Sequence, residues 1–420
     1  MRRPVIAGAL AAALLGWAPT PALAQSREGP AAASARVPPT GVQTCLAFDT
    51  RQDDWPTPQP CDGSGALRLV PKQDGMLGAG VPSYEAVPGR PLTECVRDRV
   101  SGLVWEGKPD SGKLQAMAAT AGPPGTGRLL DSYGPHHEPR PGSRANTDAY
   151  SYHGDARPGD AMAYVAQVNA QQLCGYTDWR LPTIAELHGI ADVNTLMDSE
   201  ASSHRLMAGR PAIDARWFPN TVPGHYLASE PADATSMWCV DFKTAYVYTC
   251  YRRMRQGTQP LFVRLVRGPE APETARWREM PDERGVPGGA VQDRTTGLVW
   301  RRCEEPQTWN GKRCTWSARR YTYMQAVQRA AGETGWRVPS VKEMNSLVGR
   351  WIDTLDIPPA DFPATGAEPL RRGFWTSTVC SAHAQTATAR AYISAWAVSD
   401  GGNLYCESRI MGLGLRLVRE

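Results

Sequence analysis

The stretch D-R-V-S-G-L-V-W at 98–105 returns as D-R-T-T-G-L-V-W at 293–300, with six of eight positions unchanged. The shared positions are Asp98/Asp293, Arg99/Arg294, Gly102/Gly297, Leu103/Leu298, Val104/Val299 and Trp105/Trp300. Two further phrases follow in the same order in each half. W-R-L-P-T-I-A-E-L from Trp179 is echoed by W-R-V-P-S-V-K-E-M from Trp336, and V-R-L-V-R at 263–267 by L-R-L-V-R at 415–419. Three phrases in one order mark an internal duplication, so the chain holds two copies of one domain and its function is to be sought in that domain.

The front of the chain indicates where those domains work. Arg2 and Arg3 precede an apolar run from Val5 to Trp17, and Ala22-Leu-Ala24 offers a small-x-small cleavage pattern before Gln25. This reads as a secretory signal peptide over 1–24, too short for a membrane span. No Cys follows the cleavage site, so a lipid anchor is not expected, and no later stretch approaches a spanning length. The mature chain is expected outside the cytoplasm: periplasmic, on the cell surface or secreted. Loss of Arg2 and Arg3 lowers the net charge from +4 to +2, which argues against a general nucleic-acid binder. The cations are 40 Arg and only 6 Lys, a bias towards planar, forked contacts.

Ten cysteines in an exported chain read as a disulfide framework. In register, Ala290 and Ala331 stand at the places of Cys95 and Cys174. Copy two lacks both together, as a Cys95–Cys174 bond requires. Cys45–Cys61, Cys239–Cys250 and Cys303–Cys314 suit local staples, and Cys380–Cys406 is the remaining pair. A metal site is the rival reading, but no C-x-x-C and no His at ligand spacing accompanies these thiols.

Within a copy, G-L-V-W suits a buried strand. Helices are expected from Asp160 to Leu173 and from Ser317 to Ala330, then from Ile184 to Asp192 and from Val341 to Trp351. The second pair starts at S/T-x-x-E capping boxes, Thr183 with Glu186 and Ser340 with Glu343, which explains these carboxylates without catalysis. Strands close each copy: Tyr226–Ser229 answers Phe374–Ser377, Trp238/Val240 answers Trp396/Val398, and 400–403 reads as a hairpin turn. The fold class is therefore α+β, with two helices and a small, mainly antiparallel sheet per copy. The expected boundaries are an extended leader at 25–92 packing on copy one, copy one at 93–267 with a loop insertion over about 109–159, a linker at 268–289, and copy two at 290–420.

T-G-L-V-W, D-W-R-L-P-T-x-x-E-L and V-R-L-V-R-G together resemble the Lcl C-terminal domain family of exported bacterial proteins. The leader phrases P-P-T-G-V-Q-T-C and P-C-D-G-S-G resemble the segment that often precedes such domains. The resemblance implies two tandem C-type-lectin-like domains whose first and last strands pair. It also implies adhesion through sulfated polysaccharides, although most members have no assigned activity. The chain departs from the family pattern at Leu265 and Leu417, where Cys is common, and at Gly335, where copy one has Asp178.

Calcium-dependent sugar binding is not expected, because Glu230-Pro231-Ala232 and Trp309-Asn310-Gly311 each lack an essential ligand. Tyr246, Tyr248, Tyr251, Arg252, Arg253 and Arg255 interleave aromatic faces with cations and could hold an anionic glycan. A half-buried strand ending in a solvated basic turn is the simpler reading of the same residues. Arg371 and Arg372 before Trp375 could act likewise in copy two. His136, His137 and His153, near Asp148 and Asp155, read as surface residues of a Gly/Pro loop rather than metal ligands. Trp105, Trp300, Trp179 and Trp336 read as core. No nucleophile motif or phosphate loop is present, and each Cys has an expected partner, so neither catalysis nor a cofactor is expected. The sequence points to an exported, non-enzymatic protein that binds a polysaccharide or an envelope partner. The alternatives are a structural or assembly component of the envelope and, behind it, an uncharacterised enzyme.

Overall fold

A computed structural model describes residues 37–48, 56–65, 68–69, 72–76, 82–111, 142–155, 157–193, 211–253, 261–268, 276–347, 373–381, 394–399 and 402–420. In the leader, β1 (Thr44–Phe48) pairs with β2 (Pro56–Pro60) and β3 (Arg68–Leu69), and β4 (Tyr84–Ala86) follows. Copy one contributes β5 (Cys95–Asp98), β6 (Val104–Glu106), α1 (Ala161–Ala170), α2 (Ile184–Gly189), β7 (His225–Pro231), β8 (Ser236–Asp241), β9 (Tyr246–Tyr251), β10 (Leu261–Phe262) and β11 (Val266–Arg267). Copy two contributes β12 (Trp277–Met280), β13 (Ala290–Asp293), β14 (Val299–Arg301), β15 (Thr308–Trp309), β16 (Cys314–Thr315), α3 (Tyr323–Ala331), α4 (Val341–Ser346), β17 (Phe374–Ser381), β18 (Ser394–Val398), β19 (Leu404–Ser408) and β20 (Val418–Arg419). The protein is a mixed α+β, disulfide-stapled chain.

The three repeated phrases meet at one place in each copy. Asp98 Oδ1 accepts from the Val100 N–H at 2.8 Å, and Gly102, at φ +74°, closes the turn between β5 and β6. Asp293 and Gly297, at φ +79°, repeat that turn, and both glycines hold a backbone that a Cβ disfavours. The closing strand then pairs antiparallel with G-L-V-W, Val266 opposite Trp105 and Val418 opposite Trp300. Arg180 exchanges two backbone bonds with Val266, each 2.9 Å, and Arg337 exchanges 3.0 and 2.9 Å bonds with Val418. Trp105, Trp300, Trp179 and Trp336 are all buried, as expected of core residues. Arg180 forks onto Glu186 at 2.8 and 2.7 Å, and Arg337 onto Glu343 at 2.6 Å twice. Both glutamates also complete the expected capping boxes, with Thr183 and Ser340.

The small sheets run β11-β6-β5-β4 and β12-β13-β14-β20, the same order in the two copies. A third sheet joins them, in the order β10-β7-β8-β9-β19-β18-β17, with β9 and β19 antiparallel and Val247 opposite Leu404. α2 packs on α4, and the Lys342 ammonium donates to Gly189 O at 2.7 Å. The Tyr246 ring stands edge-on to Trp396, with centroids 5.5 Å apart. One buried cluster takes Trp105 and Trp238 from the first copy and Trp300 and Trp396 from the second. Residues 34–420 are accordingly one compact unit rather than two beads on a string.

Several expectations need correction. The supposed linker 268–289 holds β12, which pairs with β13 as β4 pairs with β5. Its Pro/Gly/Glu-rich composition masked a four-residue edge strand. The leader does not pack on copy one alone. Lys72 Nζ donates to Ala330 O, Glu333 O and Trp336 O at 3.0, 2.5 and 2.8 Å, supplying donors to carbonyls at and just beyond the end of α3. Asp74 accepts from Thr40 at 2.7 Å and from Thr378 of β17 at 2.6 Å. α3 starts at Tyr323 instead of Ser317, because Thr322 and Gln325 form a third capping box there. α1 ends at Ala170 and α2 at Gly189, each a few residues short of its expected end, and α4 runs to Ser346.

Four disulfides form as expected: Cys45–Cys61, Cys95–Cys174, Cys239–Cys250 and Cys303–Cys314, with Cα separations of 4.9, 6.7, 6.1 and 5.7 Å. Cys406 is disulfide-bonded, and the side chain of Cys380 lies outside the described residues. Copy two fills the Cys95 and Cys174 places with alanine, so a Cys95→Ala/Cys174→Ala variant should keep its packing and lose only the crosslink. Closing a loop of 79 residues is worth about 4.5 kcal/mol in the chain-entropy model. Urea unfolding of that variant should show a loss of this order; an unchanged midpoint would refute it.

Candidate ligand cleft

The β8–β9 hairpin, stapled by Cys239–Cys250, ends in a cleft of about 610 Å³. Tyr152, His153, Ala234, Thr235, Tyr251, Arg252 and Arg253 line it. The far end of the loop insertion forms one wall: Tyr150 N–H donates to Leu261 O at 2.8 Å and Tyr152 N–H to Arg252 O at 2.7 Å. Arg252 N–H in turn donates to Thr235 O at 2.9 Å, which fixes the hairpin mouth. The Arg252 guanidinium lies 5.2 Å over the Tyr152 ring and donates to Ala234 O at 3.3 Å. Tyr251 is 68% exposed beside it. Two cations and two tyrosine rings thus share one concave surface.

Of the residues singled out in the sequence, Tyr251, Arg252 and Arg253 come together here. Tyr246 and Tyr248 do not, because their side chains are engaged by partners within the fold. The Tyr246 hydroxyl accepts from Cys406 N–H at 3.4 Å, at the junction of the copies, and the Tyr248 hydroxyl meets His225 Nε2. Arg255, Arg371 and Arg372 lie outside the described residues. Trp375 is withdrawn as a binding residue: it is fully buried and its indole N–H donates to Tyr321 O at 2.7 Å. Tyr152 and Thr235 were missed. Thr235 stands beside Arg252 once the β8–β9 register is drawn, whereas nothing local ties Tyr152 to a strand about 100 residues away.

The lectin-like phrases are engaged elsewhere. Glu230 accepts from Ile184 N–H at 2.9 Å at the start of α2, and burial pushes its carboxyl up to about 8. The Trp309 indole donates to Pro287 O at 3.1 Å under the Arg302 guanidinium. His153 N–H is held by Asp160, Asp155 pairs with Arg157, and Asp148 accepts from Ser143 at 2.6 Å. Among the described residues no group of three His, Cys, Asp or Glu could hold a metal ion. His136 and His137 lie outside them.

A second set of charges is enclosed rather than presented. Glu106 is fully buried and accepts from Lys108 at 2.9 Å, from the Tyr164 hydroxyl and from Leu265 N–H at 3.0 Å, with Arg144 at 3.4 Å. Burial opposes its ionisation, but Lys108 and Arg144 prevail and hold the carboxyl below its ordinary range. Burial in turn brings the Lys108 ammonium down to about 8. Copy two has Arg301 at this place, forked among Glu305, Glu283 and Glu333 at 2.6, 2.8 and 3.0 Å. The charge is reversed and the plan kept, which marks an internal brace.

The cleft does not recur in copy two. There Tyr323 N–H donates to Arg409 O at 3.0 Å, as Tyr152 does to Arg252, so Arg409 takes the place of Arg252. Arg409 is buried, and the next residue is an exposed Ile410 instead of Arg253.

These features define a class: disulfide-stapled α+β repeats fused through a shared sheet. The chain belongs to the Lcl C-terminal domain family, whose sequence model matches residues 94–267 and 289–419. No curated protein and no solved structure matches it. No helix among the described residues is long and apolar enough to cross a membrane.

Proposed function

We propose that this is an exported, non-enzymatic binding protein with C-type-lectin-like domains, and that copy one recognises an acidic polysaccharide at the Tyr251 cleft. The observation that carries the reading is the Arg252–Tyr152 stack beside the exposed Tyr251 ring. Guanidinium forks match carboxylate and sulfate oxygens, and tyrosine faces stack on sugar rings. Arg253 adds a second cation on the same wall. The disulfides support folding in an oxidising compartment. Recognition needs no calcium, since both lectin-like phrases serve the protein's own framework. The alternative, an assembly component of the envelope, draws support from the fused sheet, which makes a stiff spacer.

A glycan array probed at low and raised salt, with and without chelator, tests the reading. Uronic-acid or sulfated glycans should bind in a salt-sensitive, chelator-insensitive way. Tyr251→Ala and Arg253→Ala should each weaken binding about tenfold, as loss of an interface anchor typically does. Absence of binding to every glycan, or binding indifferent to both variants, would overturn it in favour of the assembly role.

A further inference from the structure

Copy two carries a disulfide-closed hairpin that presents an unusual surface. β15 and β16 are closed by Cys303–Cys314 and by a 2.8 Å bond between the Thr308 and Thr315 hydroxyls. Just past it, Gln307 Nε2 donates to Trp316 O at 2.8 Å, fixing a backbone at φ +68° that holds the Trp316 side chain 80% exposed. From Pro306 to Thr322 the chain carries Lys312, Arg313, Arg319 and Arg320 and no Asp or Glu.

This run is tied to the turn after β19. Arg320 Nη1 donates to Gly412 O at 3.1 Å, and Tyr321 and Leu413 exchange backbone bonds of 2.8 and 3.0 Å. That turn holds Ile410 at 67% and Met411 at 48% exposure. Three of the five large hydrophobic side chains exposed among the described residues therefore belong to one braced segment pair, interleaved with four cations.

We propose that Trp316, Ile410 and Met411, with Lys312, Arg313, Arg319 and Arg320, form a docking surface for an anionic lipid membrane. An indole prefers the boundary between headgroups and acyl chains, and cations near an anionic bilayer are attracted to its surface charge. Ile410 and Met411 favour lipid over an acidic polysaccharide: aliphatic side chains neither stack on a pyranose nor bond its hydroxyls, yet gain by entering acyl chains. The bonds above hold the backbone of these prongs, so docking orders little chain. The surface also points away from the cleft of copy one, because β9 and β19 run antiparallel and their C-terminal ends lead in opposite directions.

The test is co-sedimentation of the full oxidised chain with mixed phosphatidylglycerol–phosphatidylcholine vesicles and with pure phosphatidylcholine vesicles, alongside soluble dextran sulfate. The chain should pellet with the mixed vesicles and stay in solution with the neutral ones. Trp316→Ser/Ile410→Ser should reduce binding about tenfold or more, at an unchanged melting temperature and with glycan binding by Tyr251 intact. No pelleting with the mixed vesicles overturns the proposal, as does undiminished binding by the variant. Binding to dextran sulfate that Trp316→Ser/Ile410→Ser abolishes, without binding to vesicles, overturns it in favour of an acidic-polymer site on this surface.

Discussion

Residues 276–420, produced without the rest of the chain, are expected to aggregate instead of folding. Removal of copy one strips β19 of its β9 partner and bares an edge that invites pairing between chains. It uncovers Trp396, which Tyr246 and His188 contact, and the whole face of α4 that rests on α2. Loss of the leader removes Lys72 from the carbonyls around the end of α3 and Asp74 from Thr378. Each large apolar side chain returned to water forfeits about 1.5–3 kcal/mol, and a domain has only about 5–15 kcal/mol in total. A few such exposures suffice. Gel filtration and amide dispersion by NMR decide the matter; a monomeric, well-dispersed fragment would show that the shared sheet is dispensable.

Glu106→Ala should cost about 3–5 kcal/mol in urea unfolding, since it leaves the buried Lys108 ammonium and the buried Leu265 N–H without their carboxylate. Glu106→Gln keeps the volume and can still accept from Leu265 N–H, so its loss should be smaller and should report the charge alone. The pH dependence follows from the direction of the shift. The folded carboxyl titrates below the unfolded one, so its contribution is complete above the ordinary carboxylate range and is lost as pH falls through the folded value. The gap between wild type and Glu106→Gln should therefore narrow on acidification. A loss under about 1 kcal/mol for the alanine variant would mean that water reaches the pair, as at an exposed ion pair.

How much of this was legible in the sequence depended on the range of the interaction. Capping boxes such as Thr183/Glu186 span three residues, and the hairpin turns at Gly102 and Gly297 span one phrase, so both could be read directly. The Cys95–Cys174 bond is long-range, yet the second copy betrayed it by holding Ala290 and Ala331 instead. Nothing in the sequence around Arg264 and Arg416 marks them as core residues. Both are buried, Arg264 forking to Glu106 O at 2.6 Å and Thr221 at 2.8 Å, because the partners come from elsewhere in the fold. The cleft was half visible for the same reason: Tyr251, Arg252 and Arg253 are contiguous, whereas Tyr152 arrives through tertiary structure. Partners within the fold removed Tyr246 and Tyr248, and burial removed Trp375.

The antiparallel seam between Val247 and Leu404 has a further consequence. Two identical subunits meeting in this way would be bound by symmetry to offer the same tip at either pole. Written into a single polypeptide, the arrangement escapes that obligation. Tyr251 and Arg253 can differ at one end of the shared sheet from Ile410 and Trp316 at the other, so a single chain presents two chemically unlike surfaces.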